Sequence, residues 1–95
     1  MDQKTEEFYK RLKQELENTT EKWPLEYLYK FIVPSGGEQV NEIQKVFDGM
    51  GAVIKTTSSK NGNYISVSIN VVMESSDAII KKYLEVSTIN GIISF

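Results

Sequence analysis

Residues 56–73 read TTSSKNGNYISVSINVVM, and their periodicity decides the fold. From position 64 onward, Ile65, Val67, Ile69, Val71 and Met73 fall on one side, and Tyr64, Ser66, Ser68, Asn70 and Val72 on the other. A period of two belongs to a half-buried strand, one face in the core and the other toward water or a partner. Asn61 and Gly62 are the residue types that supply positive φ in a tight hairpin, and residues 52–57 read as the strand before it. A β-hairpin is therefore expected, with the rest of the chain assembled on it.

Toward the C-terminus, Ser75, Ser76 and Asp77 offer N-cap groups for a helix carrying Ile79, Ile80, Tyr83, Leu84 and Val86. Asn90-Gly91 ends it, and residues 92–95 read as a last strand. Toward the N-terminus, Gly49 and Gly51 stop a helix whose apolar positions are Val40, Ile43, Val46, Phe47 and Met50. At its start Ser35 and Glu38 stand at capping-box spacing, while Gly36-Gly37 could instead cradle an anion on bare amides. Residues 25–33, LEYLYKFIV, place Leu25, Tyr27, Tyr29, Phe31 and Val33 on one side and Glu26, Leu28, Lys30 and Ile32 on the other. This reads as a central strand whose second face is too apolar to stand open, so the N-terminal helix or another subunit is expected over part of it.

Residues 2–18 form an amphipathic helix with Phe8, Leu12 and Leu16 on a narrow apolar stripe. It either packs on the domain or serves as a docking arm. The order after it is strand, helix, strand, strand, helix, strand. With right-handed crossovers this is the ferredoxin-like βαββαβ arrangement, an α+β fold with a four-stranded antiparallel sheet and two helices on one face. Residues 1–20 are expected as the N-terminal helix and 21–95 as the ferredoxin-like, ACT-like domain.

The bulk numbers exclude more than they select. Ninety-five residues make one domain with a modest core. A net charge of -2 gives no phosphate-seeking field, so nucleic acid is not an expected partner. Cysteine and histidine are both absent, which removes thiol nucleophiles, zinc-thiolate sites, disulfides and the usual general base near neutral pH. No cofactor or metal is expected. The charged N-terminus has no signal-peptide core, and no apolar run reaches the ~18 residues that span a bilayer. A soluble cytoplasmic protein without membrane contact is the expectation.

An enzyme built from this chain would have to use Asp, Glu, Lys, Tyr or Ser. Asp48, Glu74 and Asp77 sit near helix ends, where capping or solvated charge accounts for them. Lys30, inside an apolar strand, is either a buried base of lowered pKa or a lysine whose stem lies over the sheet with its ammonium in water. Ser58, Ser59 and Lys60 make a hydroxyl-rich turn beside one ammonium, suited to a carboxylate or phosphate and equally to a solvated loop. Tyr64 is a single aromatic on a polar sheet face, too few, with too little positive charge, for an RNA-stacking surface.

Trp23-Pro24, Tyr27, Lys30-Phe31 and above all Ser58-Ser59-Lys60-Asn61-Gly62-Asn63-Tyr64-Ile65-Ser66-Val67 resemble the YbeD-like family of small bacterial proteins. In that family a Phe-Pro opens a strand containing a Lys, and a Ser-Ser-x-Gly-x-Tyr-x-Ser-Val hairpin follows. Here Asn61 is an extra residue, and Trp23 replaces the Phe. The resemblance covers residues 23–95 and implies a domain similar to ACT-type regulatory domains, which bind small metabolites at subunit contacts. A link to lipoate is proposed for the family. With the apolar second face of residues 25–33 and the Ser/Lys turn, the expectation is a non-enzymatic regulatory domain that dimerises through its sheet and binds a small carboxylate, such as lipoate, near Lys30 and the hairpin, with Lys30, Ser58, Ser59, Lys60 and Tyr64 as candidates by pattern. The alternative is an interaction adaptor that docks on a larger enzyme through the N-terminal helix or a sheet edge.

Overall fold

The computed structural model describes residues 3–19 and 22–94. The elements are α1 (Gln3–Thr19), β1 (Leu25–Pro34), α2 (Gln39–Val46), β2 (Val53–Ser58), β3 (Tyr64–Met73), α3 (Ser76–Val86) and β4 (Ile93–Ser94). All strand pairs are antiparallel, in the order β2-β3-β1-β4. The long β1 and β3 are the centre of the sheet, and the hairpin partner β2 is an edge. The last strand is shorter than its sequence pattern predicts, and Phe95 lies outside the described residues.

Alternation in β1 and β3 sends one set of side chains beneath the helices. Tyr29, Phe31, Val33, Val67, Ile69, Val71 and Met73 are buried there against Ile43 and Phe47 of the α2 segment and Ile79, Tyr83 and Val86 of α3. Tyr29 is the hub. Its ring centroid lies 5.0 Å from Phe47 and 4.9 Å from Tyr83, so one β1 residue packs on both helical segments, and both helices lie on the same face. Such aromatic contacts add about 0.5–1.5 kcal/mol each beyond burial. Lys82 of α3 closes the layer by donating to the Val46 carbonyl at the end of α2, at 2.9 Å.

Two local expectations change. Glu38 and Ser35 form no capping box: Glu38 is the N-cap residue without a side-chain cap, and its carboxylate accepts from Asn41. Ser35 is held elsewhere, its N–H donating to Asn63 O at 3.0 Å and its hydroxyl to Gly62 O. The serine staples the β1–α2 loop to the hairpin tip. The hairpin turn, in turn, takes positive φ at Gly62 and not at Asn61. Asn61 works through its side chain, accepting from the Ser59 hydroxyl at 3.1 Å and the Asn63 N–H at 3.3 Å. By contrast Ser75 caps α3 as its sequence position predicts, accepting from Ala78 N–H at 3.1 Å. Gly91 has φ +76 with Pro34 carbons about 3.0 Å from where a Cβ would stand, so only glycine lets the chain turn back into β4.

The N-terminal helix is not over the sheet's second face. Tyr9, Leu12 and Leu16 pack toward the core from the α3 side, Lys13 pairs with Asp77 at 2.9 Å, and Ser76 donates to Glu17 at 3.0 Å. Among the described residues none covers the other face of the sheet, where Leu28, Val53 and Val72 are exposed.

Candidate functional site

The open face is built by the residues that alternation turns away from the core, and strand register arranges them in rows. Glu26 stands beside Val72. Leu28, Asn70 and Val53 form the next row, then Lys30, Ser68 and Lys55, then Ile32 with Ser66 and Thr57 and, on the far side, Ile93. Tyr64 stands beside Pro34 at the end. Six large apolar side chains are exposed among the described residues, and all but Phe8 lie on this face: Leu28, Val53, Tyr64, Val72 and Ile93. Tyr64 and Val72 are eight positions apart on β3, about 27 Å at strand rise, and Asn70, Ser68 and Lys30 stand between the apolar groups, so the face interleaves apolar and polar side chains. A shallow depression of about 180 Å³ lies on it, lined in part by Lys30, Ile32, Ser66 and Ser68.

The five residues singled out by pattern do not converge. Lys30 and Tyr64 share the open face, but Lys30 pairs with Ser68 while Tyr64 pairs with Pro34, four positions along β1, or ~13 Å at strand rise. Ser58 pairs with Ile65 and so belongs to the opposite, helix-side parity. Ser59 serves the turn, its oxygen accepting from Tyr64 N–H at 3.0 Å, and Lys60 is exposed at the tip. Lys30 is exposed as well, so it is the lysine lying over the sheet and not a buried base.

The residue missed from sequence is Lys55. Its place in the row with Lys30 follows from the register of both hairpin partners on β3, and neither strand's own pattern reveals that pairing. The row Lys30–Ser68–Lys55 sets two ammonium groups on either side of a hydroxyl, with Cα atoms of the lysines roughly 10 Å apart by strand spacing. Apolar Leu28 and Val53 flank it on one side and Ile32 on the other. Such an array can hold a small anion that carries an apolar tail.

A second concavity of about 390 Å³ lies between α1 and α3, lined by Glu6, Tyr9, Lys10, Lys13, Asp77, Ile80 and Leu84. Among the described residues no group of three or more His, Cys, Asp or Glu is arranged to hold a metal, and no helix is long and apolar enough to cross a membrane.

The model of a family described as "Protein of unknown function (DUF493)" matches residues 18–95. The chain belongs to this family. DUF493 is the family of the YbeD-like proteins, so the hairpin motif at residues 58–67 points to the right group. Most of α1 lies ahead of the DUF493 match. A comparison with curated proteins finds no match. Among solved structures, this DUF493 chain is similar to the ACT domain from GTP pyrophosphokinase of Chlorobium tepidum, with a TM-score of 0.53 and 10% identity over 73% of this chain and 94% of that one. At that identity the likeness carries the fold, which is ferredoxin-like α+β with an added N-terminal helix.

Proposed function

We propose that this chain is a non-catalytic regulatory domain that binds a small carboxylate bearing an apolar tail, such as lipoate, on the open face of its sheet. The observation that carries this reading is the row Lys30–Ser68–Lys55 set within exposed apolar neighbours. Flexible lysine stems can bring both ammonium groups onto one carboxylate above Ser68, whose hydroxyl donates a further hydrogen bond, while Leu28, Val53 and Ile32 take the tail. The ACT-like fold supports a regulatory role, and a chain without histidine or cysteine lacks the most usual catalytic groups. Ser58, Ser59, Lys60 and Tyr64 lie outside this site.

Thermal unfolding in the presence of lipoate tests it. A ligand that binds only the folded state stabilises by about 2.7 kcal/mol at a hundred times its dissociation constant. Lipoate should raise the melting temperature, neutral lipoamide should do so much less, and Lys30→Ala and Lys55→Ala should each reduce the lipoate shift. Equal shifts from lipoate and lipoamide, no shift from either, or variants that respond as the parent chain does would reject the site.

The adaptor reading keeps one observation of its own. Phe8 is 60% exposed on α1 in edge contact with Tyr9, which lines the α1–α3 concavity, and an exposed ring there would suit docking on a larger protein.

A further inference from the structure

We infer that the open sheet face is where two copies of this chain pack, face to face, about a two-fold axis lying along the Leu28–Asn70–Val53 row. The inference needs no bound molecule, but it draws on Leu28, Val53, Lys30 and Ser68 of the ligand reading, so a second copy and the ligand compete for them.

A two-fold axis in the plane of contact, running across the strands, sets each strand of one copy over the same strand of the other with its direction reversed. Rows equally distant from the axis then meet. With the axis on the Leu28–Asn70–Val53 row, Glu26 of each copy faces Lys30 of the other, and Val72 faces Ser68. Leu28 and Val53 meet their own counterparts, burying two of the exposed apolar side chains at the centre. Asn70 lies between them, and an amide both donates and accepts, so it can pair with itself across the axis. Sheets packed in this way sit about 10 Å apart with strands crossing near -30°, within reach of Glu and Lys side chains close to the centre.

Charge selects this register. An axis one row further along would set Lys30 against Lys30 and Lys55 against Lys55, and like charges brought together oppose association. The Leu28–Asn70–Val53 axis instead turns Glu26 and Lys30 of β1 into partners. The helical layer does not obstruct it, since α1 packs beside α3 on the opposite side of the sheet. A second copy also accounts for the apolar side chains on the second face of β1, which none of the described elements covers.

Sedimentation equilibrium of the full chain, with charge exchange at one pair of positions, is the test. Glu26→Lys and Lys30→Glu are exposed substitutions, so the far-UV circular dichroism and melting of each variant should match the parent chain. The parent chain is expected to be a dimer at micromolar concentration. Each single substitution should raise the dissociation constant roughly tenfold, because symmetry repeats every charge change. The double variant Glu26→Lys with Lys30→Glu should recover the parent's association. A monomeric parent, single variants that associate as tightly as the parent, or a double variant no better than the singles would overturn the inference, whichever ligand or other protein the face then proves to bind.

Discussion

At the scale of single residues, the buried phenols determine how the fold responds to pH. Tyr29 donates to the Ile79 carbonyl at 3.0 Å, and the Tyr83 and Tyr27 hydroxyls are 2.8 Å apart. Burial is the main cause that pushes the Tyr29 and Tyr83 hydroxyls well above the ordinary tyrosine value of 10, and the hydrogen bond to Tyr27 adds to it at Tyr83. Each phenol holds its proton more tightly in the folded chain than in the unfolded one. The associated stability is therefore complete below pH 10 and is lost as pH rises through the folded-state values. Denaturant unfolding should show stability falling steadily above pH 10, and the fall should be shallower in Tyr29→Phe and Tyr83→Phe. Each variant should also lose about 1 kcal/mol at neutral pH for its missing hydrogen bond. An alkaline slope unchanged in both variants would contradict this. Alternation in the sequence already turns Tyr29 inward. Its partner on α3 is not legible there, because the carbonyl that accepts the hydrogen bond is set by how helix and sheet dock.

At the scale of elements, period and punctuation were readable wherever a segment's own residues decide its state. The Ser75 cap, the glycine stops after α2 and the alternation of β1 and β3 are of this kind. The failures share another cause. Ser35 has a good helix-capping partner in Glu38, yet it is drawn to the hairpin tip by contacts that exist only after folding. Lys55 escaped notice because one strand's pattern says nothing of its neighbour's register. The docking of α1 was open in sequence and is settled by Tyr9, Leu12 and Leu16 against the α3 side. Among the described residues every buried core side chain lies between Tyr29 and Ile89, so removal of residues 1–20 should leave a cooperatively melting domain with unchanged strand content and a lower melting temperature. The shortened chain should still bind lipoate, whereas an adaptor would lose its partner in a pull-down. Loss of cooperative melting would show that α1 belongs to the fold's nucleus.

At the scale of the whole molecule, one sheet does two jobs because alternation divides it. The helix-side face holds the aromatic core and fixes the architecture, leaving on the second face exposed apolar side chains around a central row of Lys30, Ser68 and Lys55. Alternation in the sequence already marks this face of β1 as partly apolar. Which apolar residues form it, and that none of the described helices covers it, required the register and the position of α1. The central claim is that recognition takes place there. Amide chemical-shift mapping of the nitrogen-labelled chain during a lipoate titration tests it most directly. The account predicts saturable shifts centred on Lys30, Lys55, Ser66 and Ser68, with α1 and the outer side of α3 unmoved; shifts gathered instead around Tyr9, Ile80 and Leu84, or none at all, would contradict it.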